Sequence, residues 1–317
     1  MTPPSQRVAV VGAGAVGSFF GAMLARAGHA VTLIARAPHV TAIERSGLRV
    51  ERSSGVVEVV PVGASVDLGA VQGAELVLFC VKSTDTEAVS EAMAPHLAEG
   101  ALVLSLQNGV ENAATIARRV RQLVVPAVVY VATAMPEPGV VKHYGRGDLV
   151  IGPMRAADAA DPALAARLQG LVDLFGAAGV PVKISPDVMA ELWSKLMVNC
   201  AYNAISGLAQ QPYGEMAKLA TIRELQRVVV AEVVAVAAAD GVDLPLERAL
   251  AAMEGIAAAM PGQHSSTAQD MARGKPSEID HLNGYVASRG AALGVATPVN
   301  ATLHALVKLV EAGRAAR

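Results

Sequence analysis

Short β-branched runs alternate with helical stretches from Arg7 to about Asp187, the pattern of a parallel sheet wrapped by helices. Val8 to Val11, Ala30 to Ala35, Leu76 to Val81, Leu102 to Leu106 and Val124 to Thr133 predict strands. The first four are bounded by Gly, Arg, Lys or Asn, where loops begin. Leu48 to Glu51, Val56 to Val60, Gly139 to Ile151 and Val180 to Ile184 predict further strands of antiparallel or edge type. After Ser185-Pro186 the strand-like runs stop, and from Asp187 the chain is a nearly continuous series of helical segments rich in Ala, Leu and Val. This divides it into residues 1–186 and an all-helical part, 187–317. Within the second part, Thr221 to Ala239 predicts a helix stopped by Asp240-Gly241 and followed by Pro245. Another runs from Ser277, as N-cap, through Leu293, and one more follows Thr297-Pro298.

Composition narrows the function classes. A hydrophobic fraction of 53% over 317 residues supplies two cores. A net charge of -2, with no basic run interleaved with aromatics, gives no footprint for nucleic acid or an anionic membrane. Cys80 and Cys200 stand in apolar stretches and form no C-x-x-C pair, and no two histidines have metal-ligand spacing. A disulfide framework and a metal site are therefore not expected, and a reducing cytoplasm is. The uncharged stretch from Val8 to Ala25 imitates a membrane span in length, but glycines at 12, 14, 17 and 21 fit strand, turn and helix better.

The run VAVV leads directly into GAGAVG, comprising Gly12, Ala13, Gly14, Ala15, Val16 and Gly17. Between a strand and a helix this is a dinucleotide-binding turn. Gly12 permits the tight bend, Gly14 lets backbone approach a pyrophosphate, and Gly17 allows close helix packing. The next strand ends at Arg36, where NAD-binding chains usually carry an acidic residue for the ribose hydroxyls. An arginine cannot accept those hydrogen bonds but can pair with a 2′-phosphate, which favours NADP(H). Lys82 and Asn108 follow two further strands and point to the nicotinamide end of the same crevice.

In the helical part, KLMVNCAYN sets Lys195, Asn199 and Asn203 four residues apart. On a helix each step of four advances about 40°, so the three share one narrow stripe. Hydride transfer to a ketone needs a donor at the carbonyl oxygen, and a protonated Lys195 can supply it, with the two asparagines adding hydrogen bonds. Farther on, Ser266 is suited to a carboxylate. Glu278 falls in the first turn of the helix expected from Ser277, where local chemistry alone favours a surface residue that merely complements the helix dipole.

GAGAVG, VTLIAR, FCVKSTDTEAV, LQNGVEN, KLMVNCAYNAIS and SSTAQDMARGKPSEIDHLNG, in this order and spacing, resemble the ketopantoate reductase (2-dehydropantoate 2-reductase) family over nearly the whole chain. The resemblance implies a Rossmann domain followed by an all-helical domain, with the active site between them. It also implies NADPH-dependent reduction of a 2-keto acid to a 2-hydroxy acid, ketopantoate to pantoate in the type reaction of pantothenate synthesis. By the same resemblance Lys195 is the general acid, Asn199 and Asn203 bind substrate, and Ser266 contacts its carboxylate. Glu278 serves the nicotinamide ribose and substrate, while Arg36, Lys82 and Asn108 bind cofactor. Tyr213 stands where the family carries an asparagine that helps hold substrate, which leaves another 2-keto acid open. A non-catalytic NADPH sensor is the alternative from another class; retention of Lys195 and Glu278 argues against it. The Ala-rich helices could form a homodimer surface.

Overall fold

The computed structural model describes residues 5–315. The chain forms two compact units, the first ending at Val188 and the second beginning at Met189.

The strands of the first unit are β1 (Arg7–Val11), β2 (Ala30–Ile34), β3 (Leu48–Arg52), β4 (Val57–Val60), β5 (Gly63–Ser65), β6 (Leu76–Phe79), β7 (Leu102–Ser105), β8 (Leu123–Glu137), β9 (Val140–Ile151) and β10 (Val182–Ile184). They make one sheet in the order β4-β3-β9-β8-β7-β6-β1-β2-β5, with β10 also pairing β9. From β8 to β5 every pairing is parallel. This block is buried on both faces, so its strands are continuous apolar runs rather than alternating ones. Val8 and Val10 enter the core beneath Phe19, Phe20 and Leu24, whereas Ala9 and Val11 join Met93 and Ile116 on the opposite face.

The expected edge and antiparallel strands divide into two kinds. β4 pairs antiparallel with β3, and β9 pairs antiparallel with β8. β3 and β10, by contrast, pair parallel with β9, at its beginning and at its end respectively. One long two-residue-turn hairpin, β8–β9, thus extends the parallel block.

The helices of this unit are α1 (Ala15–Arg26), α2 (Ala37–Ser46), α3 (Thr86–Met93), α4 (Asn112–Ala117) and α5 (Pro162–Ala177). α1 lies close on the sheet because it carries Gly17, where a Cβ would come within 2.8 Å of Val10 Cγ1 and 2.9 Å of Gly12 O.

The second unit is helical: α6 (Val188–Ala209), α7 (Tyr213–Lys218), α8 (Ala220–Ala239), α9 (Leu246–Ala259), α10 (Ser266–Ala272), α11 (Asn283–Leu293) and α12 (Pro298–Ala315). Trp193, Leu196, Met197, Cys200, Ala201, Tyr202 and Ala204 bury much of the surface of α6. Glu232, itself buried, accepts from the amides of Val299 and Asn300 and so caps the start of α12.

The helix expected from Ser277 to Leu293 is not continuous. Residues Ile279–His281 form a single 3-10 turn, Leu282 leaves helical geometry at φ -114° and ψ -105°, and α11 starts at Asn283. Ser277 does not cap a long helix; its amide and hydroxyl both donate to Glu311 Oε1. Glu278 consequently precedes a three-residue turn, and the dipole argument for that residue falls away.

Among the described residues no helix is long and apolar enough to cross a membrane.

Candidate active site

In the parallel block β2, β1, β6 and β7 are consecutive neighbours, and the chain leaves β1 for β2 on one side and β6 on the other. That is a topological switch point, where an α/β sheet opens its crevice at the carboxyl ends of the strands. The loops carrying Arg36, GAGAVG, Lys82 and Asn108 follow those four strands. They are tied to one another by backbone. Gly12 and Ala13 amides donate to Ile34 O at the end of β2, Cys80 N donates to Val11 O, and Leu106 N donates to Phe79 O.

Gly12 has φ +84°, and a Cβ there would lie 2.6 Å from the Val81 amide nitrogen. The glycine turn and the loop before Lys82 therefore touch backbone to backbone, which no other residue permits. Gly14 is the opposite case. It is exposed, and a Cβ would meet nothing nearer than Gly12 O at 4.0 Å, so the missing side chain leaves open space at the start of α1. Gly14 provides no side-chain cap, and the first turn of α1 holds no acidic residue. A helix start with its positive end undischarged, beside a bare backbone, fits a pyrophosphate.

Arg36 is the exposed N-cap of α2. Among the described residues no hydrogen bond or ion pair of its guanidinium is found.

Sequence reading missed what holds the Lys82 and Asn108 loops together. Gln107 Nε2 donates to Val81 O at 3.0 Å and to Thr86 Oγ1 at 2.7 Å, while its Oε1 accepts from Ser105 Oγ. Thr86 Oγ1 donates to Asn112 Oδ1 at 2.9 Å, and Asn112 Nδ2 donates to Ser83 Oγ and to Asn108 O. All of Ser83, Thr86, Ser105, Gln107 and Asn112 are buried. With donors and acceptors paired throughout, such a network locks one geometry rather than costing stability. Gln107 and Asn112 stood within the quoted LQNGVEN, but the partners come from loops some 20–30 residues away, a juxtaposition no local pattern encodes.

In the second unit α6 is helical throughout 195–203, so Lys195, Asn199 and Asn203 do form one stripe. Lys195 and Asn199 are half-buried and Asn203 is 2% exposed, so the stripe leaves water progressively along the helix. Asn203 Nδ2 donates to Ser266 Oγ at 3.4 Å, bringing those two predicted residues together. Ser265 rather than Ser266 caps α10, its hydroxyl accepting from Ala268 N, while Ser266 is an exposed residue of the first turn. Cys200, within the same stretch, is buried and its thiol is pushed up by burial, so it is no nucleophile.

Tyr213 opens α7 and is 9% exposed, with its ring tilted against Tyr202 at 4.6 Å. Burial, and secondarily Tyr202, push its phenol up to about 12. The folded chain then holds this proton more tightly than the unfolded chain does. The resulting stability is present in full below pH 10 and is lost as the pH rises through about 12. Denaturant titrations at stepped pH are expected to show wild type losing more stability than Tyr213→Phe above pH 10; equal losses would contradict the assignment.

Residues 8–156 match the family model of ketopantoate reductase PanE/ApbA, and residues 187–311 match that of its C-terminal part. A 2-dehydropantoate 2-reductase of Halobacterium salinarum is 34% identical over 307 residues, covering 96% of this chain and 99% of its own. A solved PanE/ApbA family ketopantoate reductase from Ralstonia eutropha JMP134 is similar at TM-score 0.89 and 55% identity, covering 97% of this chain and 99% of its own. A D-mandelate dehydrogenase solved with NADH and anilino(oxo)acetate is similar at TM-score 0.88 and 26% identity, with the same coverages of 97% and 99%. With matches along both units and relatives at this identity over nearly its full length, the chain belongs to the ketopantoate reductase family.

Proposed function

We propose that the chain reduces 2-dehydropantoate to pantoate with NADPH, as an enzyme of the cytoplasm. The observation that carries this reading is the Lys195, Asn199 and Asn203 stripe running into Ser266, with Asn203 Nδ2 3.4 Å from Ser266 Oγ. One ammonium and three neutral hydrogen-bonding groups suit a small molecule with a carboxylate beside a carbonyl.

Gly12, Ala13, Gly14, Ala15, Val16 and Gly17 hold the pyrophosphate against the start of α1, Arg36 pairs with the 2′-phosphate, and Lys82 and Asn108 serve the nicotinamide end. NADPH, when bound, supplies the hydride. The Lys195 ammonium donates to the keto oxygen and gives it a proton as the carbonyl carbon is reduced, so hydride plus proton convert the ketone to an alcohol. Asn199 and Asn203 orient the substrate, Ser266 receives its carboxylate through the hydroxyl, and Glu278 holds the ribose and substrate. Tyr213, neutral at working pH, donates from its phenol where a smaller amide would leave more room.

The test is kcat/KM across a panel of 2-keto acids, including an aryl member, with NADPH and with NADH. A preference for 2-dehydropantoate and NADPH by roughly two orders of magnitude or more supports the reading. A flat profile, or oxidation only with NADH, would contradict it. A homodimer is the proposed assembly, supported by Leu306 and Leu309, which are exposed on one face of α12.

A further inference from the structure

His39 lies in the first turn of α2, and its amide donates to Arg36 O at 2.9 Å. The side chain is 6% exposed and sits in a hydrogen-bond chain whose direction is fixed at both ends. The Gly139 amide, at the β8–β9 turn, donates to His39 Nδ1 at 2.8 Å. Nδ1 is therefore unprotonated, and the ring carries its hydrogen on Nε2. Nε2 lies 3.2 Å from Ser18 Oγ, which in turn lies 3.1 Å from Ala13 O. A carbonyl can only accept, so the Ser18 hydroxyl donates to Ala13 O and receives Nε2–H from His39. Burial holds the imidazole below its ordinary range, in keeping with the neutral ring this chain requires. The turn itself presses on α2, since a Cβ on Gly139 would come 2.9 Å from Ala42 Cβ.

The chain of bonds thus joins the β8–β9 turn, the first turn of α2, helix α1 and the middle of the glycine loop. Two of the things it joins are the two anchors a phosphorylated dinucleotide needs at once: the Ala13–Gly14 peptide and the Arg36 end of α2. We propose that His39, acting through Ser18, is a positioning residue that sets the spacing between the pyrophosphate turn and the 2′-phosphate arginine, and so favours NADPH over NADH. A ligand held at two points gains from the second only when the spacing is right, whereas NADH lacks the 2′-phosphate and has nothing for Arg36 to hold, so that spacing matters less to it. The inference rests on the cofactor reading above.

Direct titration of NADPH and NADH by fluorescence tests it, on wild type, Ser18→Ala, His39→Asn and His39→Gln. Asparagine keeps an acceptor for the Gly139 amide but is too short to reach Ser18, while glutamine keeps a donor near the Nε2 position. Ser18→Ala and His39→Asn are expected to raise Kd for NADPH roughly tenfold and Kd for NADH clearly less, with His39→Gln between them and wild type. In turnover the loss should fall on KM for NADPH more than on kcat. Unchanged NADPH affinity in Ser18→Ala, equal losses for the two dinucleotides, or His39→Asn binding better than His39→Gln would each overturn the proposal. Ser18→Ala keeps the test intact if a His39 variant fails to fold. Wild type that binds neither dinucleotide overturns the cofactor reading together with this one, whereas tight wild-type binding with unaffected variants overturns this one alone.

Discussion

Replacing Lys195 with alanine is expected to lower kcat by roughly two to four orders of magnitude while leaving NADPH affinity within a few-fold of wild type. Hydride arrival puts negative charge on the keto oxygen, and an ammonium beside it both stabilises that charge and supplies the proton. Alanine can do neither. Lys195 is half-buried on the long helix α6, where alanine is the better helix former, so the variant should fold with little change in stability. Apart from Glu278, the groups assigned to the dinucleotide stand on the first unit, whereas Lys195 stands on the second, so loss of turnover should leave most of the cofactor binding in place. Stopped-flow reduction at saturating NADPH, paired with a fluorescence titration, reads both. Turnover within about fivefold of wild type would remove Lys195 from the acid role.

Arg36→Glu is expected to invert the cofactor preference. Charge-assisted hydrogen bonds are worth roughly 1.5–3 kcal/mol each, and a paired guanidinium makes two. Arg36 is exposed, so solvent screening takes the lower end, and a carboxylate in its place repels the 2′-phosphate. The combined effect should lower kcat/KM for NADPH by about two orders of magnitude. For NADH the change should be small or favourable, because glutamate can accept from the ribose hydroxyls that arginine cannot. The comparison has a structural reference, since a relative at TM-score 0.88 was solved with NADH. An unchanged NADPH to NADH ratio would show that the phosphate is held elsewhere.

Much of this architecture is legible from apolar runs. Val8 to Val11 and Leu76 to Phe79 are wholly buried, and strands covered on both faces leave little ambiguity in their sequence. The sequence reading fails where a side chain is diverted by tertiary partners. Ser277 looks like an N-cap until Glu311, 34 residues later, takes both its amide and its hydroxyl. Asn283 begins α11 with its side chain turned inward, donating to Cys200 O and Asn300 Oδ1. Neither partner is visible in a window of helical length. β5 escaped because it is three residues long and begins with glycine, which carries no strand signal.

For the site, Lys195 and the glycine turn are proposed from chemistry and spacing, whereas the role of Glu278 rests on the family resemblance. The residues that hold the site loops in place could not be named in either way. Gln107 and Asn112 tie loops across 21 to 29 positions, and His39 reaches Gly139 across 100. Supporting groups of this kind carry ordinary residue types, and only the fold makes them neighbours.

The central claim is that reducing equivalents pass as hydride from NADPH to the carbonyl carbon of a 2-keto acid. It is tested most directly by incubating the protein with NADPH dideuterated at nicotinamide C4 and with 2-dehydropantoate, then locating the label in the product by NMR. One deuterium at C2 of pantoate, in step with NADPH consumed, is the predicted result. Oxidation of NADPH without label at that carbon, or no oxidation at all, would contradict the account.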